Sequence, residues 1–168
     1  IVTGGSLGIG AAIALKLAEC GANVAINYRK HKEEAEEVIN QINAMGVKGL
    51  LVQADISNYE DAARMIETAT NEFGGIDILV NNAGTYCFRE DFESITVKEV
   101  EHLLRVNVIA PMVLCQTVIP TMIERGWGRI VNISSVSVSH GGAARTIDYT
   151  FSKSALESMT WTLSKSLA

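Results

Sequence analysis

A chain of 168 residues with 48% apolar and 20% charged side chains is long enough to bury a core, which excludes a disordered chain and any need for a metal or disulfide staple. Its 14 basic and 19 acidic residues give a net charge of −5, and no stretch gathers Lys and Arg into a stripe, so nucleic-acid binding is not expected. Cys20, Cys87 and Cys115 stand far apart, without CxxC or Cys/His spacing, and read as reduced apolar fillers rather than metal ligands.

The chain opens on Ile1-Val2-Thr3 and turns at once into glycines, so nothing reads as a signal peptide, and no apolar run is expected to reach membrane-spanning length. A cytoplasmic protein is expected. The missing initiator Met, with only two strand-like residues before the glycines, predicts a fragment of something longer. The segment Thr3-Gly4-Gly5-Ser6-Leu7-Gly8-Ile9-Gly10 then leads into a helix through Ala11, Ile13, Ala14, Leu17 and Cys20. Glycines in such a turn permit positive φ and bring backbone N–H groups close to a pyrophosphate, which a helix N-terminus also attracts; the alternative is a turn whose glycines serve packing alone.

Short apolar runs follow at Asn23–Ile26, Lys48–Val52, Ile76–Val80 and Arg129–Ile133. They are apolar at nearly every position, which predicts strands covered on both faces, as in a parallel sheet. Between them, Ala35, Val38, Ile39, Ile42 and Met45 repeat at helical spacing beneath a surface of glutamates. Ala62, Ile66, Ala69 and Phe73 make a second such stripe, which Ser57 or Asn58 would cap and Gly74-Gly75 would end. Two longer helices are predicted around Lys98–Glu124 and Thr150–Ala168. The β-α-β-α order predicts one α/β domain over 1–168, a doubly wound, Rossmann-like parallel sheet with helices on both faces and its ligand site at the carboxyl ends of the strands.

The TGxxxGxG spacing of Thr3–Gly10 departs from the ordinary GxGxxG turn. With Asn81-Asn82-Ala83-Gly84 after a strand, Asn107 in a helix, and Ser135 followed by Tyr149-Thr150-Phe151-Ser152-Lys153, it resembles the short-chain dehydrogenase/reductase family from Thr3 to the last residue. The resemblance implies hydride transfer between NAD(P)(H) and a carbonyl or alcohol. It also implies that the fold is C-terminally incomplete, lacking the final strands and the loop that closes over substrate. Residues implied to contact the cofactor are Thr3, Gly4, Ser6, Gly8, Ile9, Gly10, Arg29, Asp55, Ile56, Asn81, Ala83 and Gly84, together with Tyr149 and Lys153. Asp55 could also cap the helix that follows it. No acidic residue follows the strand ending near Asn27-Tyr28, and Arg29 could pair with a 2′-phosphate, so NADP(H) is preferred, with NAD(H) the alternative.

The implied catalytic group is Asn107, Ser135, Tyr149 and Lys153. Ketone reduction needs a proton on oxygen as well as hydride on carbon, and Tyr149 and Lys153, four apart on a helix, share a face on which the ammonium favours phenolate. Ser135 would hold the substrate oxygen, with Ser134 second in line, and Asn107 would carry a proton relay through water to Lys153. His31, His102 and His140 lack metal-ligand or triad spacing, although His140 shares with Val136, Val138, Ala143 and Ile147 a loop that could line the substrate site.

Ile123–Ile130 looks most like the 3-oxoacyl-acyl carrier protein reductase branch of fatty-acid synthesis. That branch would take an acyl thioester, with acyl carrier protein a partner for Arg125; a glucose or other sugar dehydrogenase is the alternative, and a catalytically silent dinucleotide-binding scaffold is a reading from another class. Val106, Val108, Met112, Val113, Leu156, Met159, Trp161 and Leu163 point in several helical directions, which predicts a homodimer or homotetramer built on the two long helices.

Overall fold

The computed structural model describes residues 1–167; Ala168, at the end of the second long predicted helix, lies outside them. Val24–Tyr28 (β1) pairs in parallel with Gly49–Gln53 (β2), and Ile78–Asn81 (β3) pairs in parallel with Arg129–Asn132 (β4). The opening residues join the two halves: Val2 bridges Ile26 on one side and Val80 on the other. Its N–H donates to Ala25 O at 2.9 Å, and Val80 N–H donates to Ile1 O at 2.8 Å. The sheet therefore runs β2-β1-Val2-β3-β4. The chain moves outward to one side of Val2 and then to the other, so the crevice beyond Thr3 is a topological switch point, where doubly wound sheets place their ligands.

Helices cover the two faces. Gly8–Glu19 (α1) and Lys32–Ala44 (α2) pack Ala14, Ala18, Val38 and Ile42 against Val2, Val24 and Ile26. On the other face, Tyr59–Phe73 (α3) and Ala110–Glu124 (α5) bury Met65, Ile66, Leu114 and Val118 against Ala25 and Leu79. Coverage on both faces holds along β1, every residue of which is buried. It fails at the edges: β2 is half-buried, and β4 alternates exposed with half-buried residues because no strand flanks its outer side among the described residues.

Local chemistry sets the helix ends. The Asn58 side chain accepts from Glu60 and Asp61 N–H, and Gly74 ends α3 at φ 79°. Asp55 does not cap that helix: its carboxylate is taken by the N–H and hydroxyl of Ser57, at 3.0 and 2.7 Å, in a turn before the helix begins. Thr96 and Glu99 form a reciprocal capping box that starts Val97–Leu104 (α4).

From there the chain stays helical for 28 residues, through a π-helical turn at Arg105–Ile109, to the end of α5. Contrary to the expectation from sequence, this helix is long and apolar enough to cross a membrane. Its apolar residues Leu103, Val106, Ala110, Leu114, Val118 and Met122 are instead buried in the fold. Ser137–His140 (α6) is a single turn, and Ile147–Ser166 (α7) carries the predicted Tyr/Lys pair. Of the residues expected to reach a subunit contact, Val106 and Leu156 face the core, while Met112 and Trp161 are exposed, the latter by 68%.

Candidate active site

The glycine turn is built by conformation and by a clamp. Gly4 and Gly8 adopt positive φ of 62° and 56°. Asn82 Nδ2 donates to Thr3 O at 2.9 Å and Gly4 O at 3.1 Å, while the Asn82 and Ala83 N–H groups both donate to the Thr3 hydroxyl at 3.0 Å. On the far side, Gly4 N–H donates to Asn27 Oδ1 at 3.3 Å, and Asn27 Nδ2 donates to Ala54 O at 2.9 Å. Thr3 is thus buried inside the turn, its hydroxyl consumed by structure. Leu7, at the N-cap of α1, supplies no side-chain acceptor, so the first N–H groups of that helix remain available to an anion. Ile9 is exposed there, and Ser6 is buried beneath.

Beside this turn lies a cleft of about 270 Å³ lined by Gly4, Asn27, Arg29, Ala54, Asp55, Ile56, Asn82, Ala83, Gly84, Thr85 and Val106. Of the fourteen residues expected to meet a cofactor, Gly4, Arg29, Asp55, Ile56, Ala83 and Gly84 line it. Arg29 sits at its rim, half exposed, 3.6 Å from Asp55 Oδ2. Burial works to raise the Asp55 carboxyl, but the Ser57 hydrogen bonds and the Arg29 charge outweigh it and hold the group below the ordinary carboxylate range. Asn81 does not reach the cleft. Its buried side chain points into the core, donating to Asn132 Oδ1 at 2.8 Å and lying 3.6 Å from Cys115 Sγ, which leaves its own Oδ1 without a partner. Alternation sends Asn81 to the face covered by α5 and Asn82 to the face of the glycine turn and α1. Asn82 and Asn27, absent from the expected set, do the clamping.

The polar group at the other end of the cleft is assembled across α7 and the π turn. Lys153 is only 4% exposed and donates to Ile133 O at 2.7 Å. Burial pushes its ammonium below the ordinary lysine value. Its Nζ lies 5.8 Å from the Tyr149 ring centroid, as spacing of four on a helix requires. A Cβ on Gly84 would stand 3.5 Å from Lys153 Nζ and 3.4 Å from Asn107 Oδ1, which places the end of the Asn81–Gly84 segment against both. Ser135, two residues beyond Ile133, is half-buried, and its Oγ accepts from Ser137 N–H and pairs with the Ser137 hydroxyl at 3.0 Å. The Ser134 hydroxyl is bound instead to Glu157.

Asn107 occupies the π turn. Its Oδ1 accepts from Thr85 N–H at 2.8 Å, and its Nδ2 donates to Thr85 O and Ser152 Oγ. The amide is therefore a bracket between loop and α7, at the point where Gly84 approaches both it and Lys153. Ser152, buried and donating to Tyr149 O at 2.7 Å, completes the bracket; the sequence signals it only as one serine among several. Arg125, the candidate for an acidic carrier, is occupied by Asp77 and Gly74 O at 3.1 and 3.0 Å.

The model of the short chain dehydrogenase family matches residues 1–168. The chain is 45% identical over 93% of its length to the L-rhamnose 1-dehydrogenase (NADP(+)) of Thermoplasma acidophilum, of which it spans 61%. It is 35% identical over its whole length to a 3-oxoacyl-(acyl-carrier-protein) reductase of Staphylococcus epidermidis, of which it spans 68%. A metagenomic short-chain oxidoreductase solved in complex with NADP superposes with a TM-score of 0.92 at 34% identity, covering 99% of this chain and 74% of that one. With the glycine turn, the Asn81–Gly84 segment and the Tyr149/Lys153 helix brought to one sheet mouth, the chain belongs to the short-chain dehydrogenase family.

Proposed function

We propose that this dinucleotide-binding domain serves an NADP(H)-dependent oxidoreductase acting on a carbonyl or secondary alcohol. The observation that carries the reading is the convergence of Gly4, Gly84, Lys153 and Tyr149 at the switch point of the sheet. The cleft fits the cofactor: the turn at Gly4 and Gly8 and the open N-terminus of α1 suit a pyrophosphate, Asp55 and Ile56 border an adenosine, and Arg29 offers the cation a 2′-phosphate takes. A bound nicotinamide supplies or accepts the hydride.

The protein's own residues handle oxygen and proton. Tyr149 exchanges the proton with the substrate oxygen, Lys153 favours the phenolate from the next turn of the same helix, and Ser135 orients the oxygen and stabilises charge as it develops. The Asn107 bracket fixes the start of α7 against the loop, and the proton relay through water to Lys153 would pass beside it.

A 3-oxoacyl thioester is the first substrate class, supported by identity to the Staphylococcus reductase along the whole chain. A sugar is the second, favoured by the higher identity to the rhamnose dehydrogenase. Absorbance of reduced nicotinamide, followed with acetoacetyl thioesters in one direction and aldoses in the other on the full-length protein, separates them. Tyr149→Phe should keep cofactor affinity and lose turnover by orders of magnitude; retained turnover rejects Tyr149 as the acid. The exposed Met112 and Trp161 support assembly as a homodimer or homotetramer, which light scattering tests.

A further inference from the structure

Arg89 and Asp148 form an ion pair buried on both sides, with side chains 5% and 1% exposed. Arg89 lies in the loop between β3 and α4, and Asp148 is the second residue of α7, immediately before Tyr149. Arg89 Nη1 donates to Asp148 Oδ2 at 2.9 Å, and Asp148 Oδ1 accepts the Tyr149 N–H at 2.9 Å. One carboxylate therefore ties the loop to the first turn that carries the tyrosine. Three residues earlier in the same loop, the Tyr86 ring meets the Tyr149 ring edge-on, with centroids 6.1 Å apart.

Stability alone is a poor account of this pair. A buried pair is often no more stabilising than apolar side chains of the same volume. Arg89 is also imperfectly satisfied: Nε and Nη2 have no hydrogen-bond partner, and the nearest further charge, Glu99 Oε2, is 3.4 Å from Nη2. Its placement against the proposed acid suggests a role in the chemistry. An unpaired carboxylate one residue from Tyr149 would oppose formation of phenolate, and an unpaired guanidinium would favour it.

We propose that Arg89 and Asp148 are a positioning pair for Tyr149, holding its backbone at the start of α7 and cancelling one another's charge so that Lys153 is the cation that governs proton transfer. The proposal rests on the proton-transfer reading above. The titratable and charged groups on the elements that face the tyrosine are Lys153 and Asp148 on α7, Tyr86, Cys87 and Arg89 on the loop, Glu99 on α4, His140 on α6, and Arg145 in the turn just before α7, stacked over Phe88 of the loop.

The test is the pH profile of kcat/KM for alcohol oxidation in the full-length protein, where activity rises with pH as the base form appears. Arg89→Met strands Asp148 and should move the midpoint of that rise to higher pH, while Asp148→Asn leaves Arg89 with only the exposed Glu99 and should move it to lower pH, each by roughly one unit. The double variant Arg89→Met/Asp148→Asn, in which neither buried charge remains and only the exposed Glu99 loses a partner, should return to the original midpoint with lowered kcat, and it covers the case of single variants that fail to fold. Arg89→Lys should hold the midpoint. Equal loss of activity at every pH with unmoved midpoints, or a double variant whose midpoint stays displaced, overturns the proposal and leaves Tyr149 as the acid. Turnover retained in Tyr149→Phe removes the proton-transfer reading and this proposal with it.

Discussion

Replacing Gly10 by Ala should harm the protein more than replacing Gly8, although only Gly8 has a conformation that disfavours a side chain. At Gly8, φ is +56° and a Cβ would meet nothing within 4 Å, so the cost is conformational. A left-handed residue costs about 1–2 kcal/mol, and the narrower unfolded ensemble of Ala returns about 0.4–1 kcal/mol. The net loss is ~1 kcal/mol. At Gly10 no such strain exists, and helix propensity even favours Ala by about 1 kcal/mol. The new Cβ would, however, collide with the Gly4 carbonyl oxygen and Asn82 Nδ2. Neither is the free end of a flexible side chain, because Asn82 is held by Thr3 O and Gly4 O. Overpacking of about 1–3 kcal/mol and the loss of one or two hydrogen bonds at about 1 kcal/mol each leave a net destabilisation near 2 kcal/mol. Urea unfolding of the full-length protein, paired with NADPH titration, reads both consequences. Gly10→Ala should fall below Gly8→Ala in stability and bind NADPH at least tenfold more weakly than the unsubstituted protein. A Gly10→Ala protein within 0.5 kcal/mol of the original and with unchanged affinity would refute the clamp between Asn82 and the turn.

Arg29→Ala should lower the NADPH-to-NADH ratio of kcat/KM by about tenfold or more, the worth of a charge-assisted phosphate contact; an unchanged ratio assigns Arg29 to the rim pair with Asp55 alone. Lys153 carries a pH signature in stability. Burial holds its folded pKa below the unfolded one, so the unfolded chain binds more protons between the two values and stability rises with pH through that alkaline window. Lys153→Met should abolish this rise and stay as stable at neutral pH while losing turnover; urea midpoints from neutral to alkaline pH check the sign. Ser135→Ala should lower kcat by about a hundredfold, as loss of a donor at a developing oxyanion does, and Ser134→Ala far less. Equal effects would reverse the choice between the two serines.

What lay within one element was legible in the sequence. Helical stripes such as Ala62, Ile66 and Ala69 are written at spacings of three and four, and the apolar runs at Val24–Ile26 and Leu79–Val80 mark strands, because each pattern reflects one element facing one core. The glycine turn and the Tyr149/Lys153 pair were legible for the same reason: φ at Gly4 and Gly8 and a shared helix face are local properties. The tertiary structure decided whatever joins distant positions. Thr3 and Asn82 are 79 residues apart, and Arg89 and Asp148 are 59 apart; nothing in their local composition distinguishes them from a turn asparagine or a solvated arginine. They meet because Val2 lies between β1 and β3, which carries the ends of those strands and the start of α7 to one mouth. The same order decided that Asn81 turns to the core while its neighbour clamps the turn. It also left β2 and β4 at edges half-covered, since an apolar run records that a strand is buried but not how many neighbours bury it.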